Sequence, residues 1–177
     1  MEVRLAEEGD GEAIRAIYNL EVATATVTFD LVARTAEQQS AWLASRSGAH
    51  VALVAIGDDG EIVGFGSLSP YRDRPAYRTS VEDSVYVRRD RQGLGVGTLL
   101  LSSLLDAATA SGFHAVFARV VGGHEASIRL HRGHGFDVVG TEREVGRKFG
   151  RWLDVVLLQT LLARSAPPTG PVGPGGP

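Results

Sequence analysis

The segment Ser84-Val85-Tyr86-Val87-Arg88-Arg89-Asp90-Arg91-Gln92-Gly93-Leu94-Gly95-Val96-Gly97-Thr98-Leu99-Leu100 reads as a buried strand, a glycine-rich turn and the start of an apolar helix. That order of elements aims several backbone N–H groups at one point, and such a point binds phosphate. Gly93, Gly95 and Gly97 carry no Cβ, so the turn can take positive φ angles and let an anion approach the backbone. The helix beginning near Gly97 adds the positive end of its dipole. Arg88, Arg89 and Arg91 are expected to raise the local positive charge. A pyrophosphate is the expected ligand, and the competing reading is a glycine-rich turn that binds nothing.

Spacing separates the nucleotide-binding loops that share this outline. A P-loop requires Gly-Lys-Ser/Thr, and no lysine occurs in the segment. The dinucleotide fingerprint G-x-G-x-x-G fails because Thr98 stands where its third glycine belongs and the turn lies mid-chain. What the residues do present is Gln92-x-x-Gly95-x-Gly97.

The elements that must position this loop alternate between strand and helix. Val3 and Leu5 begin a strand, and Asp10 is expected to cap a helix with Ala13, Ile14, Ile17, Tyr18 and Leu20 on its apolar face. Thr24 to Phe29 reads as a loop or short extended segment, and Thr35 to Ser45 as a second helix. His50 to Ile56 and Ile62 to Leu68 form a hairpin about Gly57-Asp58-Asp59-Gly60. Thr79 to Val87 is the strand that feeds the glycine turn, Gly97 to Ser111 the helix after it, and Ala115 to Val121 a further strand. Ala126 to His134 is helical, and Phe136 to Arg147 and Trp152 to Leu162 close the chain as antiparallel strands. Residues 1–163 are therefore expected to form one α/β domain. The last 13 residues, Ser165 to Pro177, hold five of the seven prolines and four glycines. A tail over 164–177 with that composition is expected to be disordered.

Composition narrows the function classes. A chain of 177 residues with net charge −3 is long enough for a full core and does not suggest generic nucleic-acid binding. Cysteine is absent, which leaves no thiol nucleophile, disulfide or Cys-based metal site. No metal is expected. Met-Glu-Val-Arg-Leu is unlike a secretory signal, and no run of about 18 apolar residues suggests a membrane span. A cytoplasmic location is expected.

The glycine loop Gln92-x-x-Gly95-x-Gly97 resembles that of the GNAT superfamily of acetyl-CoA-dependent N-acetyltransferases. Further segments resemble its phosphinothricin/methionine sulfoximine acetyltransferase branch. They are Ile17-Tyr18-Asn19, Thr24 to Phe29, Ala76 to Val87, Ala126-Ser127-Ile128-Arg129-Leu130-His131 through Gly135-Phe136, and Gly150 to Val155. The resemblance runs from about residue 2 to 162. It implies a mixed, mainly antiparallel sheet of about seven strands with helices on both faces, split near the end of the Glu82 strand to admit acetyl-CoA.

For the cosubstrate, the resemblance implies that the backbone of Val85, Tyr86 and Val87 pairs with the pantetheine arm, and that the Val87 N–H faces the thioester carbonyl. Gln92, Gly93, Leu94, Gly95, Val96, Gly97 and Thr98 match the diphosphate loop. His124 departs from the pattern, since the family places an asparagine there for the pantetheine. Histidine lacks the amide's paired donor and acceptor. Either it contacts the cofactor or it is a solvated loop residue.

For the chemistry, Glu82 matches the carboxylate of the Val-Glu-x-Ser/Thr-Val-Tyr-Val motif and is expected to act as general base, its pKa raised by partial burial. His131 occupies the position from which many members donate a proton to the leaving thiolate, and a core or capping histidine is the alternative. Tyr86 is a further donor candidate that is expected to pack instead. In the loop Tyr71 to Arg78, Arg72, Arg74 and Tyr77 are expected to read the anionic groups of a small amino acid, with Phe29 as an apolar wall. Arg78 reads as solvated. The expected reaction transfers acetyl directly to the α-amine of a phosphinothricin- or methionine sulfoximine-like substrate. The alternatives are a peptide or protein N-terminal acetyltransferase and a non-catalytic acyl-CoA-binding regulator. A homodimer is implied by resemblance, with Trp152 and the final strands as its candidate interface.

Overall fold

In the computed structural model, which describes residues 1–162, seven strands form a single sheet. They are β1 (Glu2–Leu5), β2 (Ala52–Ile56), β3 (Ile62–Pro70), β4 (Ser80–Val87), β5 (Ala115–Val121), β6 (Asp137–Lys148) and β7 (Arg151–Leu161). Their order is β1-β2-β3-β4-β5-β7-β6. Only the β4–β5 pair is parallel. The mixed, mainly antiparallel α/β sheet expected from the sequence is thus present, while the expected tail at 164–177 lies outside the described residues.

Helices cover both faces because each carries one apolar stripe. On one side, α1 (Gly11–Thr24) and α2 (Ala36–Ala44) press Ile14, Ile17, Tyr18 and Leu43 onto Val54 and Phe65. On the other, α3 (Val96–Ala110) and α4 (Glu125–Arg132) bring Leu100, Leu101, Leu104 and Ile128 against Val81, Val116 and Leu158. Full burial of each such side chain stabilises the fold by about 1.5–3 kcal/mol. α3 lies close to the sheet because Gly64 and Gly66 of β3 lack side chains; a Cβ on Gly66 would stand 2.8 Å from Leu104 Cδ1. That close docking leaves the turn between β4 and α3 directly over the end of β4.

Two local expectations are corrected. Leu20 is exposed rather than part of the buried face of α1, which continues through Val22 instead. Asp10 does not cap α1 through its side chain. It accepts from the Glu7 N–H at 2.7 Å and pairs with Arg4 at 2.6 Å, which holds the turn before the helix. α2 does begin as expected on Thr35, which forms a reciprocal capping box with Gln38.

The feature that shapes the site lies between β4 and β5. Their parallel ladder contains only Ser80↔Ala115, Val81↔Val116 and Glu82↔Phe117. Beyond Glu82, β4 stays with β3, where Val85 faces Gly66 and Val87 faces Gly64. β5 stays with β7 as far as Val121↔Val155. The sheet therefore parts after Glu82, in the middle of the strand rather than near its end.

Candidate active site

The parting of the strands opens a cleft of about 560 Å³, with Asp83 to Val87 on one wall and Ala118 to Val121 on the other. Along this wall β4 has no strand partner, and the Val87 carbonyl accepts from Gln92 Nε2 at 3.4 Å. Arg88 N–H donates to Val63 O at 2.9 Å. Antiparallel alternation then turns Tyr86 and Ser84 toward β3, and Val87 and Val85 toward the cleft. These two residues present peptide groups to any extended ligand that lies there.

The glycine turn closes one end of the cleft. Gly93 and Gly95 adopt φ angles of 76° and 85°, the left-handed region that favours glycine. Gly95 is the N-terminal flanking residue of α3, and no side chain caps that end. The first helical bond is Leu99 N–H to Gly95 O, so the N–H groups of Val96, Gly97 and Thr98 have no partner inside the helix. Gln92, Gly93, Gly95, Gly97 and Thr98 line the cleft. Leu94 projects outward, and the Val96 side chain is core, so each of these offers only backbone.

Two expectations about this loop change. Gly97 does not have a positive φ; it lies in α3, and a Cβ there would come within 3.2 Å of Leu130, so its role is to let α4 approach. Nor are the three arginines free charge. Arg88 pairs with Glu61 and Asp90, Arg89 with Glu21, and Arg91 with Asp59. The positive potential offered at this point therefore comes from backbone dipoles, while the arginines lash the loop to the β2–β3 turn and to α1.

The period of two along β4 sorts its polar residues onto opposite faces. Glu82 lies on the face covered by α1 and α2, together with Tyr86. Burial, its first cause, raises the Glu82 pKa, opposed by the Arg119 charge and reinforced by Asp83 and Glu142. Arg119 itself pairs with Glu142 of β6. Tyr86 packs, stacked on Phe65 at 5.1 Å and edge-on to Tyr18 at 5.2 Å, and burial pushes its hydroxyl pKa up.

Asp83 and His131 meet on the other face, where both line the cleft. The two side chains are almost fully buried, and His131 Nε2 stands 3.0 Å from Asp83 Oδ2. The opposite ring nitrogen, Nδ1, is 2.7 Å from Ser127 O. Burial by itself would lower the His131 pKa, but the Asp83 hydrogen bond and charge and the Ser127 carbonyl outweigh it, and the net shift is upward. The structure thus places the two expected catalytic groups, Glu82 and His131, on opposite sides of β4. Asp83 is the residue that sequence reasoning missed. Its signal was legible: alternation puts an aspartate among Val81, Val85 and Val87, an apolar set that admits a carboxylate only with a partner.

The expected substrate residues divide. Tyr71 stacks on Phe117 with ring centroids 3.9 Å apart, and Phe117 is the register partner of Glu82. Tyr77 meets Tyr71 edge-on, and the Arg72 guanidinium lies 5.1 Å from the Tyr71 ring and 5.7 Å from that of Tyr77. Arg72 and Tyr77 are thereby carried to Phe117 of β5, the register neighbour of Glu82. Arg74 flanks the turn Pro75–Tyr77 and is exposed, outside this cluster. Phe29 is part-exposed over Gly146 of β6, where any Cβ would overlap its ring. His124 lines the cleft at the start of α4, its carbonyl accepting from Ser127 and Ile128 N–H. Among the described residues no three His, Asp or Glu side chains converge as metal ligands, and no helix is long and apolar enough to cross a membrane.

Comparison with known proteins gives one consistent set of relatives. The profile of the Acetyltransferase (GNAT) family matches residues 14–136. The chain is 44% identical over 158 residues to a phosphinothricin N-acetyltransferase of Streptomyces coelicolor, covering 88% of this chain and 92% of that protein. It is 39% identical over 168 residues to an L-methionine sulfoximine/L-methionine sulfone acetyltransferase of Pseudomonas aeruginosa, covering 93% and 98% of the two chains. Among solved structures, a phosphinothricin acetyltransferase from Sinorhizobium meliloti in complex with AcCoA superposes with a TM-score of 0.90 at 33% identity, covering 95% of this chain and 92% of that one.

Replacing Gly95 with alanine adds a Cβ in left-handed backbone, at a cost of about 1–2 kcal/mol. Calorimetric titration with coenzyme A should show affinity reduced by about tenfold in Gly95→Ala, since about 1.4 kcal/mol corresponds to a factor of ten. Unchanged affinity would mean that the turn does not form the anion site.

Proposed function

The chain belongs to the GNAT acetyltransferase family, and from that premise we propose that it transfers acetyl from acetyl-CoA to the α-amine of a small anionic amino acid of the phosphinothricin or methionine sulfoximine type. The observation that carries this reading is the position of Glu82. It sits where the β4–β5 ladder ends, between the free edge of β4 and the Tyr71–Phe117 platform that carries Arg72 and Tyr77.

The fit of acetyl-CoA to the cleft is a matter of donors and length. The amides from Gly93 to Thr98 suit the diphosphate, and the edge peptides of Val87 and Val85 suit the amide-rich arm as an added strand. Val87 lies beside the glycine turn and Val85 one register step closer to Glu82. With the diphosphate at the turn, the acyl end therefore lies nearer Val85 than Val87, which shifts the expected thioester contact by one step. His124 lines the same cleft and is assigned to the cofactor.

An α-ammonium must lose one proton before its lone pair can attack the thioester. Glu82 is assigned that proton, directly or through one water, and a carboxylate whose pKa burial has raised is a better base for it than an exposed one. Attack forms the C–N bond, collapse of the tetrahedral species breaks the C–S bond, and the second amine proton is lost. The departing thiolate takes a proton from the His131 side. Cys is absent from the chain, so no cysteinyl acyl-enzyme can intervene. Arg72, lying beside the Tyr71 and Tyr77 rings, presents its planar fork to the carboxylate or phosphinate. Tyr77 is assigned to the same group, whereas Arg74 and Phe29 lie outside the cluster. We also assign the reaction to the cytoplasm. β6 is the last strand of the sheet, and its neighbourhood exposes Val138, Val139, Val145 and Trp152. These residues form the contact of the homodimer proposed for this chain, and sedimentation showing a monomer at micromolar concentration would contradict it.

A thiol-release assay with acetyl-CoA against phosphinothricin, methionine sulfoximine, the common amino acids and short peptides tests the assignment, and turnover is expected with the first two. Preference for peptides would favour an N-terminal acetyltransferase instead. Glu82→Gln should lower kcat by about 10²- to 10⁴-fold. The acid limb of the wild-type pH profile should fall above the ordinary glutamate value of 4.5, because activity requires the ionised form and burial delays ionisation. The same raised pKa means that the folded state binds the proton more tightly, so the stability contribution of Glu82 declines as pH rises through that window. Glu82→Gln should accordingly not lower the Tm at pH 7. Arg72→Ala should raise the amino-acid KM more than it lowers kcat, and equal losses with neutral amines would show that Arg72 does not read an anion.

A further inference from the structure

The contacts of His131 fix where its protons are. Ser127 O is a carbonyl and can only accept, so its 2.7 Å contact, much closer than the Ser127 hydroxyl at 3.5 Å, favours a hydrogen on Nδ1. A neutral imidazole with that hydrogen has a bare Nε2. Across 3.0 Å from it stands a carboxylate oxygen of Asp83, which also offers only lone pairs when ionised. Two lone pairs do not face each other at hydrogen-bond distance in a buried site, so a second proton must lie between Nε2 and Oδ2. The other oxygen of Asp83, Oδ1, is buried without a partner, which leaves His131 as the group that answers this carboxylate.

We propose that Asp83 is a positioning residue that keeps a transferable proton on Nε2 of His131, in the wall of the cleft where the thiolate of coenzyme A is released. This rests on the acetyl-transfer reading above and adds to it the residue that loads the acid. In the step itself the Nε2–H bond breaks, an S–H bond forms with the electron pair left on sulfur by C–S cleavage, and His131 is left neutral. The resulting pair, a bare Nε2 against a carboxylate, is the unfavourable arrangement described above. It draws back a proton, supplied by the nitrogen that has just been acetylated, Glu82 gives up the first ammonium proton to solvent, and the resting state returns with atoms and charge balanced.

Few other groups bear on the ring. Ser127 contacts it from its own helix, and Phe136 lies edge-on at 5.1 Å from the segment before β6. His134, one turn further on, turns instead to Ser102 of α3 at 3.1 Å. From β5 the charged residue of the cleft wall is Arg119, which is paired with Glu142, and from the glycine turn it is Arg91, paired with Asp59. Asp83 is the charged group in direct contact. An acid held in this way stays loaded above histidine's ordinary pKa of 6.5, where more of the amine substrate is unprotonated.

Asp83→Asn separates proton storage from packing, because asparagine has the same shape and its amide N–H can still bond Nε2, but only by leaving it bare. Nitrogen-15 NMR of the histidine rings in the ligand-free full chain should show His131 protonated on both nitrogens at pH 7.5, and in Asp83→Asn protonated on Nδ1 alone. In turnover with acetyl-CoA, Asp83→Asn should lower kcat by about 10²-fold with KM for acetyl-CoA little changed, and the alkaline limb of the pH profile should move to lower pH. A bare Nε2 in the wild type, or an Asp83→Asn variant with the wild-type kcat and pH profile, would overturn the proposal. If the variant does not fold, the wild-type spectrum alone decides. Ring protonation is read without any substrate. Doubly protonated His131 without acetyl transfer would therefore refute the functional reading only, and brisk transfer with a bare Nε2 would refute the proton store only.

Discussion

The fold depends on an unfinished ladder. β4 and β5 pair in parallel for three residue pairs and then part, each held by its other neighbour. Unpaired backbone groups inside a protein are costly unless something satisfies them, and the edge at Val85 and Val87 is the part of β4 that lacks a strand partner. Every other feature of the site is placed relative to this opening. Close docking of α3 over Gly64 and Gly66 sets the glycine turn at one end, and the last ladder pair, Glu82 and Phe117, closes the other.

β4 then divides the chemistry by geometry alone. Residues of even number face α1 and α2, which puts Glu82 on the side of the aromatic platform and Arg72. Residues of odd number face α3 and α4, which puts Asp83 against His131. In the proposed reaction the acceptor for the incoming amine and the donor for the outgoing thiolate are therefore assigned to opposite faces of one strand. Proton transfer into one group and out of the other needs no contact between the two, and their environments differ accordingly: burial acts on Glu82 with mixed charges nearby, whereas His131 answers one carboxylate and one carbonyl.

What could be read from the sequence was local. Strand, glycine turn and helix follow one another within a single segment, so the loop was visible in the residues themselves, whereas the free backbone beside it was implied only by the family resemblance. The turn chemistry of Gly57 to Gly60 and the helix starting at Thr35 were legible for the same reason. Interactions between distant segments were not. Asp83 and His131 are 48 positions apart, and only the packing of α4 against the sheet joins them. Arg88, Arg89 and Arg91 read as free positive charge because their carboxylate partners, Glu61, Glu21 and Asp59, lie in other elements. Gly97 read as a third flexible turn residue because its neighbour, Leu130, belongs to a helix not yet placed. Leu20 read as buried because a period alone does not show how far the sheet extends beneath α1.

The central claim is that the parted edge of β4 and the glycine turn together receive acetyl-CoA. Backbone amide NMR during titration with coenzyme A tests it most directly. The account predicts that the amides of Val85, Val87 and Gly93 to Thr98 shift together and saturate at one concentration, with those of β1 and β2 unmoved. Saturable binding that leaves Val85 and Val87 unshifted would contradict it, since the cosubstrate would then lie somewhere other than along the open strand.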